Sequence, residues 1–212
     1  VEINQFVFAS HNPGKAIEVN KTVAALGYAV LPLNLIEAQF GPAPHPEETA
    51  DTYEGNARIK SQAFFSWCGV ASLADDAGLE VFALSGEPGV VSAHYAGQGA
   101  SSKQNMDKLL LVMDGVTDRR ARFISQLFLT TAKGVFLERA ALNGRIEAAP
   151  RGSGGFGYDA LFVPDGEALT LAEIKAKGSA DYPTHRVLAL RALFARGDVR
   201  AAISGSVSQS PS

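Results

Sequence analysis

The sequence is short of several things at once, and each shortage removes a class of protein. One cysteine, Cys68, stands in 212 residues, so no disulfide can close within the chain and thiolates alone cannot build a zinc site. Set in an apolar helical stretch, Cys68 reads as packing, and its solitude fits a reducing compartment. No apolar run approaches the roughly 20 residues that cross a bilayer. The N-terminus carries no signal-peptide pattern, so the expectation is a cytoplasmic protein with no membrane partner. Neither sign of charge dominates: 19 basic against 22 acidic residues leave a net charge of −3. That balance speaks against a nucleic-acid partner or a membrane-surface role. No Walker-type glycine-lysine-serine/threonine loop is present either.

What the chain has is core material. Hydrophobic residues make up 46% of it, enough for one compact α/β domain over residues 1–198, with a Ser-rich, flexible tail at 199–212. A buried first strand, Gln5 to Ala9, leads through Ser10-His11-Asn12-Pro13-Gly14-Lys15 into a helix ending at Gly27. Strand, small polar loop and helix start form a cradle for anions: free N–H groups and the helix dipole favour phosphate, and Lys15 adds charge. An ordinary strand-to-helix turn would look the same. A second strand is expected over Tyr28 to Leu35. A helix follows from about Thr52 to Trp67, with Asp51 as N-cap and Glu54 three residues on. Asn56 and Lys60 lie four apart and share a face of it. Lys60 can snorkel to water or reach a phosphate, and Glu48 can ligate a metal or simply favour the helix start.

The most pointed stretch is Leu73-Ala74-Asp75-Asp76-Ala77-Gly78-Leu79. An apolar run, two acids and a glycine suggest a strand ending in a bend that aims carboxylates into a crevice, with another strand from Leu79 to Leu84. Adjacent carboxylates repel, so a cation, a basic neighbour or a shared proton should compensate them. A solvated Asp-Asp turn is the plainer alternative. Farther on, Ser101 and Gln104 form a capping box for a helix carrying Met106, Leu109, Leu110 and Met113. Arg120 to Thr131 alternates as a strand, and Ala132-Lys133-Gly134 turns it into Val135 to Leu142, with a second turn at Asn143-Gly144. This meander inside an α/β pattern argues for a mixed sheet. In Gly154-Gly155-Phe156-Gly157-Tyr158-Asp159, glycines permit close backbone approach, the aromatics offer flat faces for a base and Asp159 an acceptor. A strand over Ala160 to Val163 comes next, then a short helix over Thr170 to Lys177. A last helix, behind Pro183-Thr184, carries His185 and Arg186 in its first turn, where cations oppose the dipole unless a ligand compensates them.

Taken together and in order, these motifs resemble the HAM1/inosine triphosphatase family of purine nucleoside triphosphate pyrophosphatases, from Phe6 to about Arg196. The resemblance implies a long curved mixed sheet with helices in two lobes around a central cleft, a homodimer, and a magnesium requirement. It also implies hydrolysis of dITP, ITP or XTP to the monophosphate and pyrophosphate. By the same resemblance Asp76 is general base and metal ligand, with Asp75 supporting it, Glu48 a further metal ligand, and Lys60 a catalytic lysine on the phosphates. Ser10 to Lys15 is the triphosphate loop, Asn56 and Ala77 line the substrate site, Phe156 to Asp159 hold the base, and His185 and Arg186 read the purine's keto oxygen. Lys177, or alternatively Lys175, contacts substrate.

The chain departs from the family pattern in places. Ala77 replaces a serine, His94 an arginine and Ala160 a proline, and the spacing ahead of His185 is stretched. These touch substrate preference rather than the metal and phosphate set. A Maf-like nucleotide pyrophosphatase would carry an arginine pair in its opening loop, absent here. A catalytically silent purine-nucleotide-binding protein would have lost acids that Asp76 and Glu48 retain.

Overall fold

The computed structural model describes residues 4–178 and 182–204. They fall into two compact units: the first runs up to Asp76 and adds Gln126–Ala140 and the chain from Arg186 on, while the second holds Ala77–Ser125 and Ala141–His185. The elements in chain order are β1 (Asn4–Phe8), α1 (Pro13–Ala25), β2 (Tyr28–Val30), α2 (Leu33–Phe40), α3 (Tyr53–Cys68), β3 (Ser72–Val81), α4 (Ser102–Val112), β4 (Arg120–Thr131), β5 (Gly134–Ile146), β6 (Phe162–Pro164), α5 (Leu171–Ala176), α6 (His185–Phe194) and α7 (Gly197–Ser204). The strands make one mixed sheet in the order β2-β1-β3-β4-β5-β6. Its β1 runs parallel to β2 and β3, and β5 antiparallel to β6.

In the first unit β1 and β3 are buried on both faces, which is why residues 6–9 read as an unbroken apolar run. Phe6, Phe8 and Leu73 point to one face, where Val19 and Val23 of α1, Leu190 and Leu193 of α6 and Val199 and Ile203 of α7 pack on them. Val7, Ala9 and Ala74 point to the other, against Ile36 of α2 and Ala57 and Phe64 of α3. The strict alternation of side chains along a strand makes that division. The second unit has its own core, in which Leu79, Val81, Phe123 and Ile146 of the strands meet Leu109 of α4, Leu171 and Ile174 of α5, Tyr158 and the packing residue Met113.

Several sequence expectations need correction. The strand expected over Tyr28 to Leu35 stops at Val30, and Leu33–Phe40 is a helix behind Pro32. A short apolar run cannot by itself choose between those two states. Thr52, not Asp51, caps α3, its side chain accepting from Gly55 N at 3.1 Å. No bend occurs at Gly78: β3 runs unbroken through both aspartates to Val81, so the acids lie in mid-strand. Likewise β5 passes through Asn143-Gly144 to Ile146. A Cβ on Gly144 would stand 2.3 Å from the Val163 carbonyl and 2.7 Å from the Phe162 ring, so this glycine serves the close approach of β6 rather than a turn. The chain expected to be flexible from 199 on forms helix α7 as far as Ser204; residues 205–212 lie outside the described residues.

Candidate functional site

Because Leu73 and Ala74 face opposite sides of β3, the next two residues must do so as well. Asp75 points to the face covered by α1 and α6, and Asp76 to the face covered by α3. The surroundings follow. Asp75 Oδ2 lies 2.9 Å from Lys15 Nζ of α1 and 3.0 Å from Arg186 Nε of α6, and its side chain has no exposed surface. Asp76 Oδ1 lies 3.2 Å from Lys60 Nζ of α3, and Lys60 also reaches Glu48 Oε2 at 2.8 Å. The backbone carbonyl of Asp75 accepts from both lysines, each at 3.2 Å. Asp76 Oδ2 is buried and has no hydrogen-bond partner among the described residues.

Burial is the largest influence on the charges of this cluster. It raises the Asp76 carboxyl above its ordinary value, against the pull of Lys60 and Lys15. It lowers the Lys15 ammonium, which Asp75 partly restores. For Lys60 burial is outweighed by Asp76 and Glu48, so its net shift is upward and it stays charged. Arg186 is likewise raised, Asp75 and Glu18 overcoming its burial.

Around the acids, local chemistry sets the shape. Ser10 Oγ accepts from Asn12 N at 3.2 Å, and Asn12 caps α1 by accepting from Lys15 N at 3.1 Å. Pro13 and Gly14 open the helix, whose first turn carries no acid to compete with an anion. His11 is exposed and stacks on His45 at 3.7 Å, which ties this loop to the segment bearing Glu48. Asn56 is buried, and its Oδ1 accepts from Ala50 N at 2.9 Å. It therefore anchors the Glu48 segment, where a direct substrate contact was expected. Glu48 itself remains 44% exposed at its side chain.

Arg186 departs most from expectation. Expected to read a purine keto oxygen, it is 1% exposed and donates to Asp75 and, through Nη1, to Glu18. Glu18 was not foreseen at all; its one sequence signal is the three-residue spacing from Lys15, which puts the two on one face of α1.

The second unit carries the glycine-aromatic loop. Asp159 Oδ2 accepts from Phe156 N at 2.9 Å and from Lys175 Nζ at 2.8 Å. That ammonium also lies 5.2 Å from the centre of the Phe156 ring. Phe156 is exposed, whereas Tyr158 is buried in the core with its hydroxyl donating to the Ser92 carbonyl at 2.9 Å. Only one of the two aromatics therefore offers a face to a ligand. Burial pushes the Tyr158 hydroxyl up, so it stays a donor. Gly157 takes a left-handed φ of 63°, a conformation natural to glycine. Lys177 is exposed at the C-cap of α5, so Lys175 is the lysine at this loop. His185 is buried and stacks on Phe123 at 4.8 Å, nearly parallel. Ala77, next to Asp76, is partly exposed.

Comparison with known proteins gives concordant findings. A family model described as the Ham1 family matches residues 6–196. The dITP/XTP pyrophosphatase of Methylacidiphilum infernorum is 40% identical over 196 residues, covering 91% of this chain and 94% of that protein. The enzyme of the same name from Deinococcus deserti is 42% identical over 193 residues, covering 90% of this chain and 88% of its own. Among solved structures, the Ham1 protein of Staphylococcus aureus superposes with a TM-score of 0.77 at 34% identity, covering 90% of this chain and 96% of that one.

Proposed function

The chain belongs to the Ham1 family, and on that premise we propose that it hydrolyses dITP, ITP and XTP to the nucleoside monophosphate and pyrophosphate. One observation carries the assignment of roles. Asp76 Oδ2 is a buried carboxylate oxygen with no partner among the described residues, on a group whose other oxygen is already held by Lys60. Native structures rarely leave such an oxygen unpaired, and where they do, a reaction or a cation is the usual reason.

A divalent cation fits the donors present. Asp76 Oδ2 and the half-exposed Glu48 supply two hard oxygens. That count suits magnesium, which takes one or two carboxylates and keeps several waters. When bound, the ion would neutralise phosphate charge and make a water more acidic. Asp75 is not needed as a ligand, since Lys15 and Arg186 already neutralise it.

The protein's own groups then perform the remaining tasks. Asp76 takes the proton of the attacking water. Water oxygen bonds to the α-phosphorus, the α–β anhydride bond breaks, and pyrophosphate leaves. Lys60 and Lys15 hold phosphate oxygens, and the N-terminus of α1 adds N–H donors without reorganisation. In the second unit Phe156 supplies the stacking face for the base. His185 and Lys175 are the donors for a 6-keto oxygen; adenine, with an amino group there, would leave them unpaired. The same proposal takes the protein as a cytoplasmic homodimer. No helix among the described residues is long and apolar enough to cross a membrane.

The test is a panel of ITP, dITP, XTP, GTP, ATP and dTTP with magnesium, reading pyrophosphate and orthophosphate separately. Pyrophosphate from the deaminated purines, with little from ATP or dTTP, is the expected pattern. Tight ITP binding without hydrolysis at any pH would leave a binding protein instead of an enzyme.

A further inference from the structure

The buried chain of ion pairs behind Asp75 has no place in the chemistry above, and it ends on a residue outside every recognised motif. Glu18 sits one turn after Lys15 on α1 and receives Nη1 of Arg186. Arg186 turns Nε to Asp75 Oδ2 at 3.0 Å, and the same oxygen takes Lys15 at 2.9 Å. The Asp75 carbonyl in turn is the common acceptor of Lys15 and Lys60. Each link is made by a side chain with little or no exposed surface: 14% for Glu18, 2% for Arg186 and none for Asp75.

We propose that Glu18 is a positioning residue for the hydrolysis: through Arg186 it fixes the Asp75 carboxylate, and through that carboxylate the aim of Lys15. The inference rests on the reaction proposed above. Charge bookkeeping gives the reason. Glu18 and Asp75 balance Arg186 and Lys15, so the set is neutral as it stands. Without Glu18 it holds one excess positive charge in a poorly solvated place, and Arg186 sits in the first turn of α6, where the dipole also disfavours a cation. A guanidinium is planar and fixes its partners in one plane, so anchoring Nη1 on Glu18 also orients the Nε edge against Asp75. Released from Glu18, Arg186 loses one of the bonds that hold that angle. The Asp75 carboxylate then loses its fixed orientation, and Lys15, which shares its Oδ2 with Arg186, loses the oxygen that aims it.

A salt bridge that merely ties α1 to α6 would look similar in a melting curve, so the test must read more than stability. Glu18→Gln keeps the shape and loses the charge; Glu18→Ala loses both; Glu18→Asp keeps the charge. Each is assayed for pyrophosphate release from ITP and for hydrogen–deuterium exchange. In the Gln and Ala variants kcat should fall on the order of 10- to 100-fold, as misaimed groups cost, while KM stays within about threefold because Glu18 is engaged with Arg186 behind Asp75. Glu18→Asp should recover part of kcat. In an Arg186→Met background, removing Glu18 should change kcat no further. Exchange should rise at 71–78 while 102–112 in α4 is unchanged. Parental kcat in both variants, a rise in KM alone, or faster exchange confined to 13–25 would overturn the proposal. Glu18→Gln decides the question if Glu18→Ala fails to fold. If the parent protein releases no pyrophosphate from ITP, the reaction itself falls, and the exchange pattern at 71–78 still judges whether Glu18 positions Asp75.

Discussion

Asp75 and Asp76 are consecutive on β3, yet their carboxylates are held in opposite ways. Asp75 is closed in by Lys15 at 2.9 Å and Arg186 at 3.0 Å. Asp76 has one oxygen 3.2 Å from Lys60 and the other without a partner among the described residues. The pleat separates them: neighbours in a strand face opposite sides of the sheet, so each meets a different helix layer. One aspartate is thereby structural and the other is available for chemistry.

Amide substitutions should separate the two. Asp76→Asn is expected to lower kcat on the order of 10²- to 10⁴-fold, the usual worth of a general base, with ITP still bound. Asp75→Asn is expected to cost about 3 kcal/mol or more of folding stability, since it leaves Arg186 and Lys15 buried without their shared anion. Kinetics and denaturant melts of both proteins check this, and parental turnover in Asp76→Asn would move the base elsewhere.

The raised Asp76 pKa carries a sign for stability. A carboxyl whose folded pKa exceeds its unfolded one binds its proton more readily when folded, so protonation favours the fold. In metal-free protein, Asp76 should cost stability near neutral pH and cost less as pH falls through its raised folded value towards the ordinary one. Melting temperatures of parent and Asp76→Asn protein, measured in chelator across the acid range, should converge as pH falls. A gap that widens on acidification would contradict the shift.

Lys60 joins Glu48 and Asp76 by its ammonium. Lys60→Met removes the charge while keeping most of the stem, and should lower kcat/KM about 10- to 100-fold, as loss of a charge-assisted hydrogen bond does. Titrating magnesium in the same assay should show a steeper requirement, because the two acids then face each other without a cation. An unchanged magnesium curve would place the ion away from Glu48 and Asp76.

Gly155 is a steric test of the glycine-aromatic loop. A Cβ there would stand 2.0 Å from Asp159 Oδ2, at a φ of 75° that favours glycine. Gly155→Ala should displace Asp159 from Lys175, cost about 1–3 kcal/mol of stability, and raise KM for ITP more than it lowers kcat. An intact KM would remove this loop from substrate binding.

The two lysines of α5 give the sharpest contrast between sequence and structure. Lys175 contacts Asp159 and Phe156, and Lys177 is exposed at the helix end. Lys175→Ala should raise KM for ITP about 10-fold or more and narrow the preference for ITP over ATP, whereas Lys177→Ala should leave both unchanged. The reverse result would return the role to Lys177.

By itself the sequence determined what depends on neighbours along the chain. The Ser101–Gln104 capping box closes on α4 as its spacing requires, the hairpin of β4 and β5 turns at Ala132-Lys133, and the Ser10–Lys15 loop leads from β1 into α1. Such features need only a few residues and their local hydrogen bonds. The motif set and its order were legible too, because chemistry constrains residue type as well as position.

Only the tertiary structure decided the rest. It ran β3 through Gly78, since a glycine can extend as well as bend and the flanking strands chose extension. It made Leu33–Phe40 a helix by giving Ile36 a core to enter. It turned Arg186 from an expected base contact into the clamp on Asp75, and brought in Glu18, which lies 168 residues from it in the chain. Most of all it split the aspartate pair. The sequence placed two carboxylates side by side; which one meets two cations and which keeps an oxygen without a partner among the described residues is set by the face of the sheet each takes and the helices packed there, and no local pattern carries that information.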